Sequence, residues 1–302
     1  MAAIVCVGEL IVEIMRKQVG VALDRPDDFA GPFPSGAPAI FIDAAAGLGA
    51  DAAMVAAVGD DDFGKCCLDR LRADGVDTSG VKIASRYTTG TAFVTYFDDG
   101  SRQFIFHLPH SAAAQVSPDD VDESVMNGVK WFHVCGSSLS VGQGMRDACY
   151  KAAEIAHSRG AMVSLDPNLR PELLGIDEVR RICGPILEIA DVIFPSGDEA
   201  AMLADIDSPE DACRQLVKSG ARVVALKRGA DGCTVFSAHG EVNVQGILAE
   251  VVDPTGAGDC FDAGFAIGML RGLSLPDAAA LANKAGAHAV TVRGPMAGAP
   301  DD

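Results

Sequence analysis

A rhythm in the second half of the chain constrains the fold most. Trp131–Cys135, Ala161–Leu165, Val192–Phe194 and Val223–Leu226 are short apolar runs of strand length. Between them lie segments read as helices, Gly144–His157, Glu178–Ala190 and Pro209–Lys218. Strands that alternate with helices form a parallel sheet covered on both faces. The first half fits the same plan, with strands at Ile4–Gly8 and Met54–Val58 and helices at Gly36–Gly49 and Asp62–Ala73. The expected architecture is an α/β fold, a doubly wound, mostly parallel sheet with helices on both faces.

Two stretches break the rhythm. Thr91–Phe97 and Arg102–His107 are strands joined by Asp98-Asp99-Gly100-Ser101, a hairpin signal. A hairpin sits poorly inside a parallel sheet. With segments around Leu10–Met15 and Phe29–Phe33 it is expected to make a small antiparallel β-sheet, a lid beside the larger body. That lid would use segments of about 10–33 and 88–110, within a single domain spanning 1–302. A second hairpin is expected at Thr234–Phe236 and Val242–Val244. Two helices, about Ala257–Arg271 and Pro276–Val292, then lead into a loop-like tail.

Charge and cysteine usage narrow the function. The formal charge is −18 over 302 residues, which argues against nucleic acid and anionic membranes as partners. An anionic ligand would have to be drawn in by a local site. The nine cysteines are scattered, odd in number and without C-x-x-C, which points to a reducing cytosol and not to disulfides or a zinc cluster. No basic segment followed by an apolar run opens the chain, and no stretch of about 18 apolar residues occurs. A cytoplasmic protein is expected.

The strongest local motif is Asp253-Pro254-Thr255-Gly256-Ala257-Gly258-Asp259. Its glycines bracket a helix start, where free N–H groups and the helix dipole bind anions. An acidic residue is out of place there unless it takes a proton from a hydroxyl that attacks the anion. The plain alternative makes Asp259 an N-terminal cap, and local physics leaves the two readings even. Gly59 to Cys66 nearly fits a P-loop, but its three aspartates would repel phosphate and Cys66 replaces the Mg²⁺-binding hydroxyl. Gly47 to Ala52 matches G-x-G-x-x-A, yet it ends a helix instead of opening one, so its glycines read as C-caps. His107 and His110 leave the hairpin in a loop and are candidates to touch substrate. Gly136-Ser137-Ser138 reads as a turn.

Together these pieces resemble the ribokinase-like (PfkB) family of carbohydrate kinases, along nearly the whole chain. The resemblance rests on Val7-Gly8-Glu9-Leu10, Ser35-Gly36-Ala37-Pro38-Ala39, Val58 to Gly64, Asp166 to Pro171, and Pro195-Ser196-Gly197-Asp198-Glu199. Asp253 to Asp259, followed by Phe261 and Gly264, is similar to the family's C-terminal signature and is the most specific match. The resemblance implies ATP and Mg²⁺, with a sugar held under the lid. Asp259 would be the base, with the N–H groups of Gly256, Ala257 and Gly258 holding the developing charge. Glu199 would place Mg²⁺ through water. Ser196, Lys227, Gly229, Gly232 and Asn283 would line the nucleotide side. The turn at Asp253 and Thr255 resembles a site for a monovalent cation, K⁺ in some members. A homodimer through the lid is expected.

The sugar side departs from the pattern. Glu13 stands where the family often has Asp, and Ile40 where it often has Asn. Asp43 lies three residues on and is a candidate to replace that polar contact. The segment Phe106 to Ala113 resembles 2-keto-3-deoxygluconate kinases. Those usually carry Arg where Leu108 stands, to pair with the sugar's carboxylate. Gly36, Ala37, His107 and Arg170 complete the candidate sugar contacts. A ketohexose, tagatose or fructose, is favoured over a sugar acid. A non-catalytic sensor and a dinucleotide-binding oxidoreductase are the rival classes.

Overall fold

The computed structural model describes residues 3–98, 101–169 and 174–300. The strand β1 (Ile4–Val7) is an inner strand of the main sheet, and its side chains divide the core. Ile4 and Cys6 face one layer, Val5 and Val7 the other, as the two-residue period of a strand requires. β2 (Ile11–Arg16) and β3 (Phe29–Ser35) leave the body, and α1 (Ala37–Gly47) returns to it. β4 (Ala52–Val58), α2 (Asp62–Ala73) and a short β5 (Val81–Ile83) extend the main sheet on one side. The chain departs again as β6 (Gly90–Tyr96) and β7 (Arg102–His107).

On the other side of β1 come β8 (Trp131–Cys135), α3 (Gly136–Val141), α4 (Gln143–Ser158), β9 (Met162–Asp166) and α5 (Ile176–Leu187). β10 (Val192–Ile193), α6 (Glu199–Ala204), α7 (Pro209–Lys218) and β11 (Val223–Lys227) continue the winding. The hairpin of β12 (Cys233–Ser237) and β13 (Gly240–Val244) adds an antiparallel edge. α8 (Ala257–Leu270) and α9 (Leu275–Ala289) close the fold. Among the described residues the strand order is β13-β12-β11-β10-β9-β8-β1-β4-β5, parallel from β11 to β5. α1, α2, α8 and α9 cover one face, and α4 to α7 the other.

The chain turns to opposite faces after β1 and after β8. The carboxyl ends of these neighbours therefore open a crevice, where α/β sheets bind ligands. The ends are crowded. A Cβ on Gly136 would collide with the Pro167 carbonyl, and one on Gly36 (φ 111°) with the Glu9 carbonyl. α8 and α9 also pack closely. A Cβ on Gly264 would come within 2.9 Å of Ala282 Cα, and one on Gly268 within 2.8 Å of Ala278 Cα. Overpacking of that kind costs about 1–3 kcal/mol.

The second sheet has the order β3-β2-β6-β7 and stands over the crevice. It differs from the expected antiparallel sheet in one pairing. β2 and β6 run parallel, because both leave the body in the same direction, while β2–β3 and β6–β7 are antiparallel. Periodicity also missed the short elements β5, α3 and α6, which are too brief to show a pattern. The P-loop-like segment holds no open anion site. Asp61 caps α2 by accepting from the Gly64 amide at 2.8 Å. It also accepts from the Thr89 amide and hydroxyl at 2.8 and 2.6 Å, which ties α2 to the foot of β6.

Candidate functional site

Two cavities lie along the carboxyl ends of the main strands. The smaller, about 210 Å³, lies between the small sheet and the body. The larger, about 790 Å³, is bounded by the β11–β12 turn, the segment after β13, and α8 and α9. They share Arg102, Ser196, Lys227, Pro254 and Gly258 as wall residues. A reacting group passed from one cavity to the other must cross there.

That junction is the start of α8. Its N-cap is Gly256, with φ 84° and no side-chain cap. A Cβ on Gly256 would lie 2.5 Å from the Pro295 carbonyl oxygen and 3.1 Å from Ile40 Cγ2, so only glycine fits this turn. With no side-chain cap, the first N–H groups of the helix are left for a ligand. Asp259 is the third residue of α8, not its cap, so the capping alternative is ruled out. It is buried, at 7 % exposure, and lines the smaller cavity.

Lys227 lies beside this loop. A Cβ on Gly258 would approach its Nζ at 3.4 Å. The ammonium donates to Asp166 Oδ2 at 3.0 Å and to Asp262 Oδ1 at 3.1 Å. Burial opposes its charge, but the two carboxylates raise its pKa, so it stays protonated. Burial would also raise Asp166, yet the Lys227 charge holds it below the usual carboxylate range. Burial prevails at Asp262, whose pKa rises well above that range. Glu199 is raised by burial and then by the Asp166 charge. Its two oxygens accept from the Leu169 and Ser196 amides at 2.9 and 2.8 Å.

The smaller cavity is rich in carboxylates: Glu9, Glu13, Asp166, Glu199 and Asp259. Glu13 accepts from the Ser35 hydroxyl at 3.2 Å. Glu9 reaches across the crevice, taking the Ser137 and Ser138 hydroxyls at 2.7 and 2.6 Å. Ser137 and Ser138 therefore belong to the opening turn of α3 and serve the cavity wall, not a plain turn. Asn168 holds a left-handed backbone (φ 40°), and its buried Oδ1 has no hydrogen-bond partner among the described residues. An orphaned acceptor in a cavity wall suits a substrate hydroxyl.

The structure gathers most of the expected residues here. Glu13, Gly36, Ala37, Glu199, Thr255, Gly256 and Asp259 line the smaller cavity, and Gly229, Gly232, Ala257 and Asn283 the larger. Asn283 spends its amide donors on the Val244 and Gln245 carbonyls, at 3.2 and 3.1 Å, and so anchors a wall. Two expectations are corrected. Asp43 lies one helical turn past Ile40, about 4.5 Å along the axis, under the cavity floor and bound to Arg70. His107 faces away from the cavity, because Arg102, Phe104 and Phe106 point inward and the strand period sends Gln103, Ile105 and His107 out. Its ring meets Phe93 instead. Asp253 does not line either cavity. It accepts from Tyr96 Oη at 3.1 Å, from the Thr255 amide at 3.0 Å and from the Gly294 amide at 2.9 Å. Arg170 lies outside the described residues.

Sequence reasoning missed Glu9, Asn168 and Arg102 as wall residues. For Arg102 a signal was present, since alternation along β7 aligns it with Phe104 and Phe106. A metal has no ready cage, for no group of three His, Cys, Asp or Glu side chains that could hold one occurs among the described residues. Mg²⁺ usually keeps several waters and binds one or two carboxylates together with substrate phosphates. Glu199 and Asp166, both in the wall of the smaller cavity, are carboxylates that could hold one.

Residues 1–302 match the sequence profile described as pfkB family carbohydrate kinase. The chain is 32 % identical over 308 residues to an Arabidopsis thaliana protein called probable fructokinase-7, covering 98 % of this chain and 89 % of that one. It superposes with a TM-score of 0.93 on an E. coli protein provisionally called ribokinase II, solved with ATP and Mg²⁺. That pair is 40 % identical and covers 100 % of this chain and 96 % of the other. A Vibrio cholerae fructokinase, solved with fructose, ADP and calcium, is 27 % identical with a TM-score of 0.86, covering 100 % and 97 %.

Proposed function

This chain belongs to the pfkB family of carbohydrate kinases, and on that premise we propose that it passes the γ-phosphate of ATP to a primary hydroxyl of a neutral ketohexose, fructose or tagatose. The observation that carries the reading is the meeting of the two cavities at the uncapped start of α8, with Asp259 opening into the smaller one. The nucleotide occupies the larger cavity and the sugar the smaller. Asp259 takes the hydroxyl proton. The sugar oxygen then bonds to the γ-phosphorus as its bond to the β-phosphate oxygen breaks, releasing ADP. The amides of Gly256, Ala257 and Gly258 and the Lys227 ammonium face the charge that develops on the phosphoryl group. Mg²⁺, when bound, neutralises phosphate charge, with Glu199 and Asp166 holding its waters. Arg102 adds a cation at the cavity junction from the small sheet.

The sugar class follows from charge. Five carboxylates line the smaller cavity against two cations, Arg102 at the junction and Lys227, which is already paired with Asp166 and Asp262. Leu108, buried in the wall, stands where a sugar-acid kinase would carry Arg. Such a wall repels an anionic sugar acid and offers acceptors to neutral hydroxyls. The fructokinase relatives agree with a ketohexose.

In this reading residues 1–302 form one kinase domain, with the small sheet as its lid. A second copy pairs on the lid's outer face, where Phe29 and Ile105 are exposed. A monovalent cation at the Asp253–Thr255 turn is held by backbone carbonyls, because the Asp253 carboxylate already accepts protein hydrogen bonds. The nine free thiols fit a reducing cytosol. The test is ADP release from MgATP across a panel of ketohexoses, aldohexoses, sugar acids and nucleosides. Fructose or tagatose should give turnover above the sugar-free rate. Turnover with a sugar acid alone would reverse the substrate assignment, and ligand binding without any ADP would support a sensor.

A further inference from the structure

The segment from Gly294 to Ala299 is wedged behind the anion-binding loop. The Gly294 amide donates to Asp253 Oδ2 at 2.9 Å. The next carbonyl, that of Pro295, sits against Gly256 so closely that a Cβ there would be 2.5 Å away. Met296 is buried at 1 % exposure, and two tight turns, Ala297 N to Gly294 O and Ala299 N to Met296 O, keep the segment compact. Gly294 also abuts the small sheet, since a Cβ on it would lie 2.9 Å from Phe33 Cδ1. Displacement of this segment would release the turn that aims the Gly256, Ala257 and Gly258 amides.

The tether on the far side of the segment is an ionic cluster under the cavity floor. Arg70 of α2 donates through Nη2 to the Met296 carbonyl at 2.7 Å and to Asp43 Oδ2 at 3.1 Å. Its Nε meets Asp74. The Asp43 side chain is 0 % exposed, and that of Arg70 30 %. A buried carboxyl group on α1 is costly, and it is retained here with a partner whose same nitrogen reaches the backbone 226 positions away. Asp43 thus holds the guanidinium, and the guanidinium holds the segment.

We propose that Arg70 is a positioning residue, oriented by Asp43, that sets the anion-binding loop through the Met296 carbonyl. The proposal rests on the kinase reading for its rate effect and on the hydrogen bonds alone for its structural effect. Neither residue lines either cavity, so replacing them removes no direct sugar or nucleotide contact and acts only through the aim of the loop amides.

The test compares Arg70→Met, Asp43→Val/Arg70→Met and Arg70→Lys in the full chain. Arg70→Met leaves the buried Asp43 carboxyl group without its partner and lowers Tm. The double variant removes both polar partners and restores Tm to within about 4 °C of wild type. The tether is still absent from it, so kcat stays about tenfold down, with KM for sugar and ATP within about twofold. Arg70→Lys, which can still reach the Met296 carbonyl, recovers part of the rate. Hydrogen exchange supplies a readout independent of turnover. Peptides covering 253–260 and 291–299 should exchange faster in the double variant, while β1 and β8 stay protected. Wild-type exchange in both peptides, or a kcat that returns together with Tm, would overturn the proposal. Absence of sugar-dependent ADP in the wild type would count against the kinase reading instead, and the exchange data would still decide this one.

Discussion

Asp43 and Asp259 are buried aspartates on helices of the same layer, and their surroundings give them opposite uses. Asp259 opens into a cavity beside amides that have no side-chain cap. Asp43 lines neither cavity and faces Arg70 and Asp74. Asp259→Asn keeps the shape and hydrogen-bonding capacity of the residue but removes the proton acceptor. It should leave Tm near the wild-type value and lower kcat by about 10²–10⁴, read by coupled ADP assay. A variant with full turnover would remove Asp259 from the mechanism. The glycines bear the other residue-scale constraint. At Gly256 the positive φ and the Pro295 carbonyl exclude any side chain, while Gly258 stands 3.4 Å from Lys227 Nζ by its missing Cβ.

Among the elements, the hairpin of β6 and β7 couples the small sheet to the chemistry. Tyr96 closes β6 by donating to Asp253 and meeting the Thr255 hydroxyl. Burial, and then the Asp253 charge, raise the phenol's pKa, so it remains a donor. Its cross-strand partner is Arg102, which faces both cavities. Tyr96→Phe should therefore loosen the lid without harming the core. A net hydrogen bond is worth about 1 kcal/mol, so KM for the sugar should rise about fivefold in steady-state assays. His107→Ala, on the outer face of the same strand, should change KM by less than about twofold. Equal effects of the two would mean that the hairpin face is misassigned.

At the scale of the molecule, the Asp43 cluster gives stability a pH signature. Burial pushes the Asp43 carboxyl up to about 8, with Arg70 pulling it down and Asp74 pushing it up; Cys260 of α8 is the other titratable group beside it. In the unfolded chain the group titrates near 3.8. The folded state therefore binds the proton more tightly, and this contribution is complete below about pH 4 and lost as pH rises through about 8. Asp43→Asn mimics the protonated form. Its Tm minus that of wild type should grow by about 2–4 °C or more between pH 5 and 9, by scanning calorimetry. A constant difference would show that Asp43 does not titrate. Much of this molecule is legible in the sequence, because strands, helices and the glycine-bracketed start of α8 are local, and periodicity and turn chemistry report local facts. The helix bounds Asp62–Ala73 and Pro209–Lys218 and the strand bounds Arg102–His107 follow from that pattern alone. Tertiary structure decided which charges meet. Glu9 found Ser137 and Ser138 across the crevice, Arg70 found Met296 from the other end of the chain, and His107 was turned outward by the pleat. Those pairings depend on the order of strands and the rotation of helices, which no window of neighbouring residues encodes.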